Sequence, residues 1–390
     1  MTMTAAPGMD ATVPLRSYSA NERAILNLLR VGGPTPSAEL ARLTGLSAQS
    51  ASVITRGLEA EGLVRRGDPV KGRVGKPSTP IGLDPDGAFS VGLRLGRRQS
   101  DLVLMDFIGQ VRGQITTRHA YPTPARTLEF VAQGLARFAE TLTPAQRGRI
   151  AGLGVGMPYD LWDWLDLVGA PEAEMLAWKS FDPEAALSAR TGLPVYVGND
   201  SSLACYGEHL FGAAAGISDF GYIYLGAFVG GGVMMDNRLY AGPGGNAGAI
   251  ASIPVPRRDG KVVQLLEVAS VYELERRIDL REAGAAKRLL GGAGWDGFED
   301  IRDLWLGEVA EYIAYGTVSL VAILDVPVVV IDGSVPEALR ALLVAQVRAR
   351  IAGMDTRGIV LPEVVAGRLG TTACALGAAY QPIVARYLVE

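Results

Sequence analysis

Residues 37–47 read Ser-Ala-Glu-Leu-Ala-Arg-Leu-Thr-Gly-Leu-Ser, and this stretch is typical of a helix-turn-helix. Ser37 is expected to cap a short helix, because a serine oxygen can accept a backbone N–H bond from the first turn. Gly45 is expected to form the tight turn, and Ser47 to cap a second helix that runs towards Gly62. The side chains expected to face the interior are Leu40, Leu43 and Leu46.

One more helix is predicted ahead of this motif. Apolar residues recur at helical spacing between Ile25 and Leu29, and Ser19 or Asn21 precedes them as a cap. The tail before it, residues 1–19, is rich in Pro, Ala and Thr and is expected to be disordered.

The second helix of the motif is predicted to contact DNA. Its apolar stripe of Ala51, Ile54 and Leu58 is expected to be buried, which leaves small polar side chains and Val53 on the opposite face. Such side chains can approach base edges in the major groove, and Gln49 can pair with adenine. An ordinary helical hairpin within a larger bundle is the alternative. The residues of this helix predicted to contact DNA are Ser47, Gln49, Ser50, Ser52, Thr55 and Arg56.

Two short strands, residues 63–67 and 79–83, flank a basic glycine loop that runs from Asp68 to Pro77. A β-hairpin of this composition is typical of a wing, whose basic side chains lie along phosphates or enter the minor groove. Helix, turn, helix and basic wing in this order predict a winged helix-turn-helix domain over residues 20–82. The wing residues predicted to contact DNA are Lys71, Arg73 and Lys76.

The charge distribution favours a DNA-binding head. The net charge of the 390-residue chain is −4, yet residues 1–82 carry ten Lys and Arg against six Asp and Glu. Because the remainder is acidic, contact with nucleic acid is expected to be confined to the head. Cys205 and Cys374 cannot form a disulfide framework, which favours a reducing cytoplasm. Glycines, or Asp325 and Pro327, interrupt the apolar stretches, so no membrane span is expected.

The rest of the chain is predicted to be a duplicated α/β body. Three strands within residues 89–117 form a meander, followed by an amphipathic helix over 125–142 and an apolar strand over 150–156. The same order recurs, with a hairpin over 220–240 and later an apolar strand over 326–331. Two meanders, each followed by helix and strand, predict two lobes with a cleft between them.

Four segments of this body resemble, in order, the successive signatures of the ROK family, which is named after repressors, open reading frames and kinases. They are Leu153-Gly-Val-Gly-Met-Pro158, Leu193-Pro-Val-Tyr-Val-Gly-Asn199-Asp200, Gly226-Ala-Phe-Val-Gly-Gly-Gly232 and Gly242-Pro-Gly-Gly-Asn-Ala-Gly248. The resemblance implies an actin/hexokinase-like (RNase H-like) duplicated fold of class α/β, with a sugar held between two lobes. It covers the head as well, since the family's repressors carry a winged helix-turn-helix.

The positions that serve ATP and its metal in the family's kinases are altered here. Where those kinases have Asp-x-Gly-Gly-Thr, this chain reads Arg94-Leu-Gly-Arg97-Arg98, which replaces a carboxylate with a cation. The second phosphate loop carries Phe228 where backbone must approach an anion. Residues 252–263, the stretch that holds zinc ligands in many members, contain no His or Cys. Comparison with the family therefore predicts a body without ATP use, and no cofactor, metal or catalytic residue is expected.

The sugar contacts of the family are partly retained. Asn199 and Asp200 match its Asn-Asp pair and Glu267 matches a later glutamate, whereas Ala249 and Ser252 replace a Glu and a His. Planar polar groups that bridge adjacent hydroxyls can still hold a sugar or polyol. Helix capping by the Asn-Asp pair is the alternative. The predicted effector-binding residues are Asn199, Asp200, Asn246 and Glu267.

Three classes of function remain open from the sequence. A sugar-gated repressor of carbohydrate-utilisation genes accounts for the head and the altered phosphate loops together, and it is preferred. A sugar kinase with divergent ATP loops and a constitutive DNA-binding or assembly protein are the alternatives. The expected partners are a duplex DNA operator with an inverted repeat, a small-molecule sugar effector and a second copy of the chain, as a homodimer or a dimer of dimers. No membrane partner is expected.

The chain is predicted to divide into a tail over 1–19, the head over 20–82 and the body over 83–390. Within the body, one lobe is predicted to take residues 83–200 with the C-terminal helix, and the other residues 201–375.

Overall fold

The computed structural model describes residues 16–69, 78–158, 161 and 170–389. The chain divides into two compact units. Unit 1 runs up to Gly198 and resumes at Ala378, and unit 2 covers Asn199–Gly377.

Unit 1 begins with a head of three helices and a small antiparallel sheet of order β1-β3-β2. Its helices are α1 (Ala20–Gly32), α2 (Ser37–Thr44) and α3 (Ala48–Ala60), and its strands are β1 (Thr35–Pro36), β2 (Val64–Arg66) and β3 (Pro80–Leu83). Ser19 caps α1 in a reciprocal pair with Glu22, and the Ser47 hydroxyl accepts the Ser50 N–H at 3.0 Å to cap α3. The predicted helix-turn-helix and its flanking strands are confirmed.

Two expectations for α2 are wrong. Ser37 is the first residue of α2, and Pro36 holds the cap position without a side-chain hydrogen bond. Leu43 is 48% exposed, because the buried face of this short helix is formed by Leu40 and Ala41 and Leu43 lies beyond its edge. Leu46 is half-buried at the turn.

The lobe of unit 1 is built on a five-stranded sheet of order β6-β5-β4-β7-β8. The central strand β4 pairs antiparallel with β5 and parallel with β7. The strands are β4 (Phe89–Leu95), β5 (Gln99–Asp106), β6 (Val111–Arg118), β7 (Ile150–Met157) and β8 (Val195–Asn199), and the helices are α4 (Pro124–Thr141), α5 (Pro144–Arg147), α6 (Glu172–Leu176) and α7 (Pro183–Thr191). β4 is buried except at the half-buried Arg94, whereas the edge strand β6 has a mixture of half-buried and exposed residues.

Unit 2 repeats this connectivity in a sheet of order β11-β10-β9-β14-β15, in which β9 pairs antiparallel with β10 and parallel with β14. Its strands are β9 (Phe220–Leu225), β10 (Val229–Met235), β11 (Arg238–Leu239), β14 (Val328–Gly333) and β15 (Glu363–Ala366), with a separate hairpin of β12 (Pro254–Pro256) and β13 (Val262–Gln264). Its helices are α8 (Asp200–Phe211), α9 (Leu265–Val268), α10 (Val271–Arg281), α11 (Ala285–Leu289), α12 (Glu299–Leu324) and α13 (Glu337–Ala352). The last helix, α14 (Ala373–Tyr387), belongs to unit 2 up to Gly377 and to unit 1 from Ala378. The predicted duplication of an α/β body is confirmed.

Among the described residues one helix, α12, is long and apolar enough to cross a membrane by length and composition alone. However, 56% of its most apolar stretch is buried in the fold, where Trp305, Ile313 and Val321 join the core of unit 2. The Trp305 indole N–H donates to the Ser270 carbonyl at 2.9 Å, which ties α12 to the start of α10. A buried core helix meets the same length and composition criteria.

Strand β10 is lined by glycines because other elements approach both of its faces closely. A Cβ atom on Gly230 would lie 2.1 Å from the Ser201 hydroxyl, and one on Gly232 would lie 2.6 Å from the Cys205 Cβ, both on α8. On the other face, a Cβ on Gly231 would lie 2.8 Å from the Gly248 carbonyl. Helix α8 and the 242–248 loop can therefore rest on β10 only while these positions lack side chains.

We expect Gly232→Ala to destabilise the protein by about 1–3 kcal/mol, because the added methyl overpacks the contact with Cys205. The matched control is Gly244→Ala, where an added Cβ meets no atom within 4 Å and the backbone is not left-handed. We expect the control to change the free energy of unfolding by less than about 0.5 kcal/mol. Urea denaturation of the three proteins measures both values, and equal stability of the two variants would contradict the packing argument.

Candidate functional site

Helix α3 presents a mainly polar face to the outside. Gln49, Ser50 and Arg56 are exposed, and Val53 is exposed by 55% of its surface. The Arg56 guanidinium bends back to donate to the Ser52 carbonyl at 3.2 Å, while Ser52 itself is half-buried. An amide, hydroxyls and one apolar side chain on a helix of this kind can contact base edges and a thymine methyl group in a major groove.

The prediction that Thr55 belongs to this face is wrong. Thr55 is only 1% exposed, and its hydroxyl donates to the Ala51 carbonyl at 2.8 Å. Residues three and four apart share a helix face, so Thr55 lies with Ala51 and Leu58 in the buried stripe. Ile54, expected in that stripe, is half-buried.

The predicted wing contacts Lys71, Arg73 and Lys76 lie outside the described residues. The strand that leads to them, β2, exposes both of its arginines. Arg66 pairs with Glu59 at 3.0 Å, and Arg65 is a further exposed cation that sequence reasoning did not assign to DNA. The alternation of side chains along a strand could have suggested one of the two arginines only.

Two predicted effector residues stand at the start of α8. Asn199 is the N-cap residue, and its Oδ1 atom accepts the backbone N–H groups of Ser201 and Ser202 at 3.0 and 3.1 Å. Asp200 accepts the Ser201 N–H at 2.7 Å. Both residues are half-buried. Capping therefore accounts for the Oδ1 atom of Asn199, and the Oδ1 atom of Asp200 also accepts a backbone N–H group at this helix start, where negative charge is favoured.

The other two predicted effector residues, Asn246 and Glu267, are exposed in unit 2. Glu267 lies in the first turn of α9, and its carboxylate accepts the Gln264 N–H at 3.3 Å. Asn246 lies in the 242–248 loop, which packs on β10 through Gly248. The fold thus places all four predicted residues on elements that pack on or beside β10, with two carboxylates and two amides able to bond sugar hydroxyls.

Arg94, which the sequence comparison aligned with a metal-binding carboxylate of the family's kinases, is built into the lobe of unit 1. Arg94 lies on β4 and donates to Asp101 on β5 at 3.0 Å, with the Asp101 side chain only 4% exposed. Gln99 and the Thr116 hydroxyl also donate to Asp101, at 3.0 and 2.7 Å. The charge of Arg94 is therefore balanced within the lobe.

A buried cluster of charges closes the carboxyl end of β14. Asp332, 1% exposed, accepts hydrogen bonds from the Tyr222 hydroxyl and the Gly370 N–H, both at 3.1 Å, and pairs with Arg340 at 2.9 Å. Glu208 on α8 accepts the backbone N–H groups of Arg368, Leu369 and Ala213. Burial, and next the neighbouring charge of Glu208, raise the pKa of Asp332 to about 7, although Arg340 opposes the shift.

Residues 90–264 of this chain match the ROK family, and residues 19–73 match the MarR family. The chain therefore combines a ROK-family domain, as the sequence motifs predicted, with a MarR-type helix-turn-helix domain where a winged helix-turn-helix was predicted.

Several curated proteins are similar to this chain. The uncharacterised protein y4fQ of Sinorhizobium fredii is 24% identical over 94% of this chain and 92% of its own length. The xylose repressor of Bacillus subtilis is 22% identical over 60% of each chain. The DNA-binding transcriptional dual regulator NagC of Escherichia coli is 27% identical over 60% of this chain and 57% of its own length. The chain thus spans less than two thirds of the two regulators in these alignments.

Solved structures share the fold. A ROK family transcriptional regulator that is a homologue of the Escherichia coli MLC protein matches with a TM-score of 0.68 and 19% identity, over 94% of this chain and 96% of that one. A ROK family glucokinase from Streptomyces griseus, solved with glucose and AMPPNP, matches with a TM-score of 0.59 and 23% identity, over 75% of this chain and 98% of that one. The architecture is an N-terminal helix-turn-helix followed by an actin/hexokinase-like ROK domain.

We expect the contribution of Asp332 to stability to decline as pH rises from about 4 to about 7, because the folded state holds the Asp332 proton more tightly than the unfolded state. The contribution is fully present below about pH 4, the ordinary carboxyl range, and is lost as Asp332 ionises in the folded protein. In Asp332→Asn the part of the pH dependence of the unfolding free energy that comes from this carboxyl group should disappear. The variant should therefore gain stability relative to wild type between pH 5 and 8. Urea denaturation across that range measures the difference. The exposed Asp355→Asn should run parallel to wild type, and a parallel course for Asp332→Asn would refute the assignment.

Proposed function

We propose that this chain is a sequence-specific DNA-binding transcriptional repressor whose affinity for its operator is controlled by a sugar or sugar-derived effector. The exposed face of α3 in a helix-turn-helix ahead of a ROK-family domain is the observation that carries the proposal. The names of similar proteins, a xylose repressor and an N-acetylglucosamine repressor, support carbohydrate metabolism as the regulated process.

The domain division belongs to this proposal. Residues 20–82 form the DNA-binding head, and residues 83–390 form the sugar-binding body. The protein acts in the cytoplasm, as a homodimer or a dimer of dimers, on an operator with an inverted repeat. Phosphate contacts come from Ser47, the N-cap residue of α3, and from the wing residues Lys71, Arg73 and Lys76. The residues that contact bases are Gln49, Ser50, Ser52, Arg56 and, through its methyl groups, Val53.

The body binds its effector without phosphorylating it. Arg94 pairs with Asp101. At the matching sequence position, the kinases of the family carry a metal-binding carboxylate. Phosphoryl transfer depends on positioning and on the metal charge, which a fixed guanidinium in that place opposes. The alternative is a sugar kinase with divergent loops. The similarity of the fold to that of a glucokinase supports this alternative.

We expect Gln49→Ala to weaken binding to the selected operator by about ten- to a hundredfold, because a bidentate contact to adenine contributes about 1–3 kcal/mol. Binding to unrelated duplexes should hardly change. The operator is first selected from random duplexes with the wild-type protein, and fluorescence anisotropy then measures both affinities. The selected operator should contain two inverted half-sites whose centres are separated by whole turns of the DNA helix. Gln133→Ala, an exposed glutamine on α4, is the matched control. A selected site without two-fold symmetry would exclude binding by two symmetric heads. Unchanged operator affinity in Gln49→Ala would exclude a base contact by Gln49.

We expect Asp200→Asn to lower effector affinity by about ten- to a hundredfold, because a charge-assisted bond to a sugar hydroxyl contributes about 1.5–3 kcal/mol. Operator binding without effector should stay near that of wild type. A thermal-shift screen of pentoses, hexoses, amino sugars and their phosphates identifies the effector, and calorimetry measures the variants.

Asp182→Asn, which alters a capping aspartate on α7, is the control for a pure capping effect. Equal effector affinity in wild type and Asp200→Asn would leave Asp200 as a helix-start residue only. Sugar phosphorylation with ATP and magnesium at about one turnover per second or more would establish the kinase alternative.

A further inference from the structure

Arg149 connects the lobe of unit 1 to the end of the recognition helix. Its guanidinium donates to the carbonyls of Glu61 and Gly62, both at 3.1 Å, directly after the last turn of α3. It also donates to the carbonyls of Asp86 and Gly87 at 3.2 and 3.3 Å, in the turn that joins the head to β4. The negative end of the α3 dipole and four carbonyls thus face one permanent cation.

The sequence around this contact is shaped to admit the guanidinium. Gly62 has a left-handed φ of 73°, and a Cβ there would lie 2.8 Å from the Arg149 Nη2 atom. A Cβ on Gly87 would lie 2.9 Å from the Gly62 carbonyl. The Asp84 N–H donates to the Leu63 carbonyl at 2.9 Å, which joins the segment before β4 to the residues that follow α3.

A second arginine connects the head to the far end of α14. Arg23 lies in the first turn of α1, where the local helix dipole disfavours a cation. Its guanidinium instead donates to the carbonyls of Leu388, Val384 and Ala385 at the C-terminal end of α14. Like Arg149, Arg23 thus donates its hydrogen bonds to backbone carbonyls at the C-terminal end of another helix.

Three aromatic side chains pack together near residues that these two arginines contact. The buried Tyr387 ring on α14 lies 5.2 Å from the Tyr18 ring and 5.1 Å from the Phe107 ring, and burial raises the pKa of Tyr387 to about 12. The Tyr18 hydroxyl donates to the Glu61 carboxylate at 3.0 Å. Glu61, the residue that ends α3, is therefore held through its carbonyl by Arg149 and through its side chain by Tyr18.

We propose that Arg149 is a positioning residue for DNA recognition, which holds α3 in one orientation on the lobe through the carbonyls of Glu61, Gly62, Asp86 and Gly87. The inference rests on the proposed function in one respect, the binding of two heads to two half-sites. A head held in this way presents its recognition helix at one distance from the partner head, and the protein then accepts one half-site spacing. Loss of the guanidinium lets the head reorient, so that several spacings are accepted.

The test compares wild type, Arg149→Gln and the control Arg147→Gln as full-length proteins. Arg147 lies on α5 and donates to Leu142 within the lobe, at 3.2 Å. Hydrogen exchange should accelerate by about tenfold or more at residues 61–67 and 84–89 in Arg149→Gln only. With the selected operator and versions lengthened by one or two base pairs, wild type and control should lose about tenfold or more in affinity, and Arg149→Gln less than about threefold. Affinity for a single half-site should be the same in all three.

Unchanged exchange at 61–67 together with unchanged spacing preference would overturn the proposal. Faster exchange throughout the lobe, including α4, would also overturn it, since Arg149 would then be a folding residue. Arg149→Lys keeps the charge but not the planar fork, and an intermediate spacing preference is expected of it. If the wild type binds no duplex at all, the proposed function fails, while the exchange experiment still decides whether Arg149 holds the head.

Discussion

Unit 2 depends on the close approach of α8 and the 242–248 loop to opposite faces of one strand. Gly230 and Gly232 leave room for α8, and Gly231 leaves room for the loop. This contact gives the Asn199–Asp200 helix start and the loop that carries Asn246 a common support. The polar side chains above the strand are therefore carried by a helix start and by a loop that both pack directly on it.

Arginine serves repeatedly in this protein as an internal cation. Arg94 is balanced by Asp101, Arg340 pairs with the buried Asp332, and Arg149 and Arg23 are surrounded by carbonyls. A guanidinium has five donors in a fixed plane and keeps its charge, so it can satisfy several acceptors at sites where burying a lone carboxylate or carbonyl would be costly. These guanidinium groups bond to the protein itself, and each joins two elements of the fold.

The body alone does not distinguish a regulator from a kinase. Its duplicated sheets match both a ROK transcriptional regulator and a ROK glucokinase, and the same scaffold supports both activities. The distinction comes from the head and from individual residues such as Arg94. The match to the ROK transcriptional regulator covers 94% of this chain, whereas the match to the glucokinase covers 75%. Fold similarity therefore supports the architecture, whereas the function depends on particular side chains.

Much of the architecture could be predicted from the sequence, because it is encoded in neighbouring residues. The alternation and glycine turns located β4 at Phe89–Leu95, and the Ser47 cap located the start of α3. The resemblance to the family also suggested the candidate effector residues, with Asn199 and Asp200 in the second motif, Asn246 in the fourth, and Glu267 matched to a later glutamate. Helical periodicity could not decide between Ile54 and Thr55 as the buried residue, and no local pattern distinguished Arg149 from the other surface arginines. Tertiary structure decided these points, since the partners of Arg149 at Glu61 and Gly62 lie more than eighty positions away in the chain. Burial and hydrogen bonding between such distant residues exist only once the elements have packed.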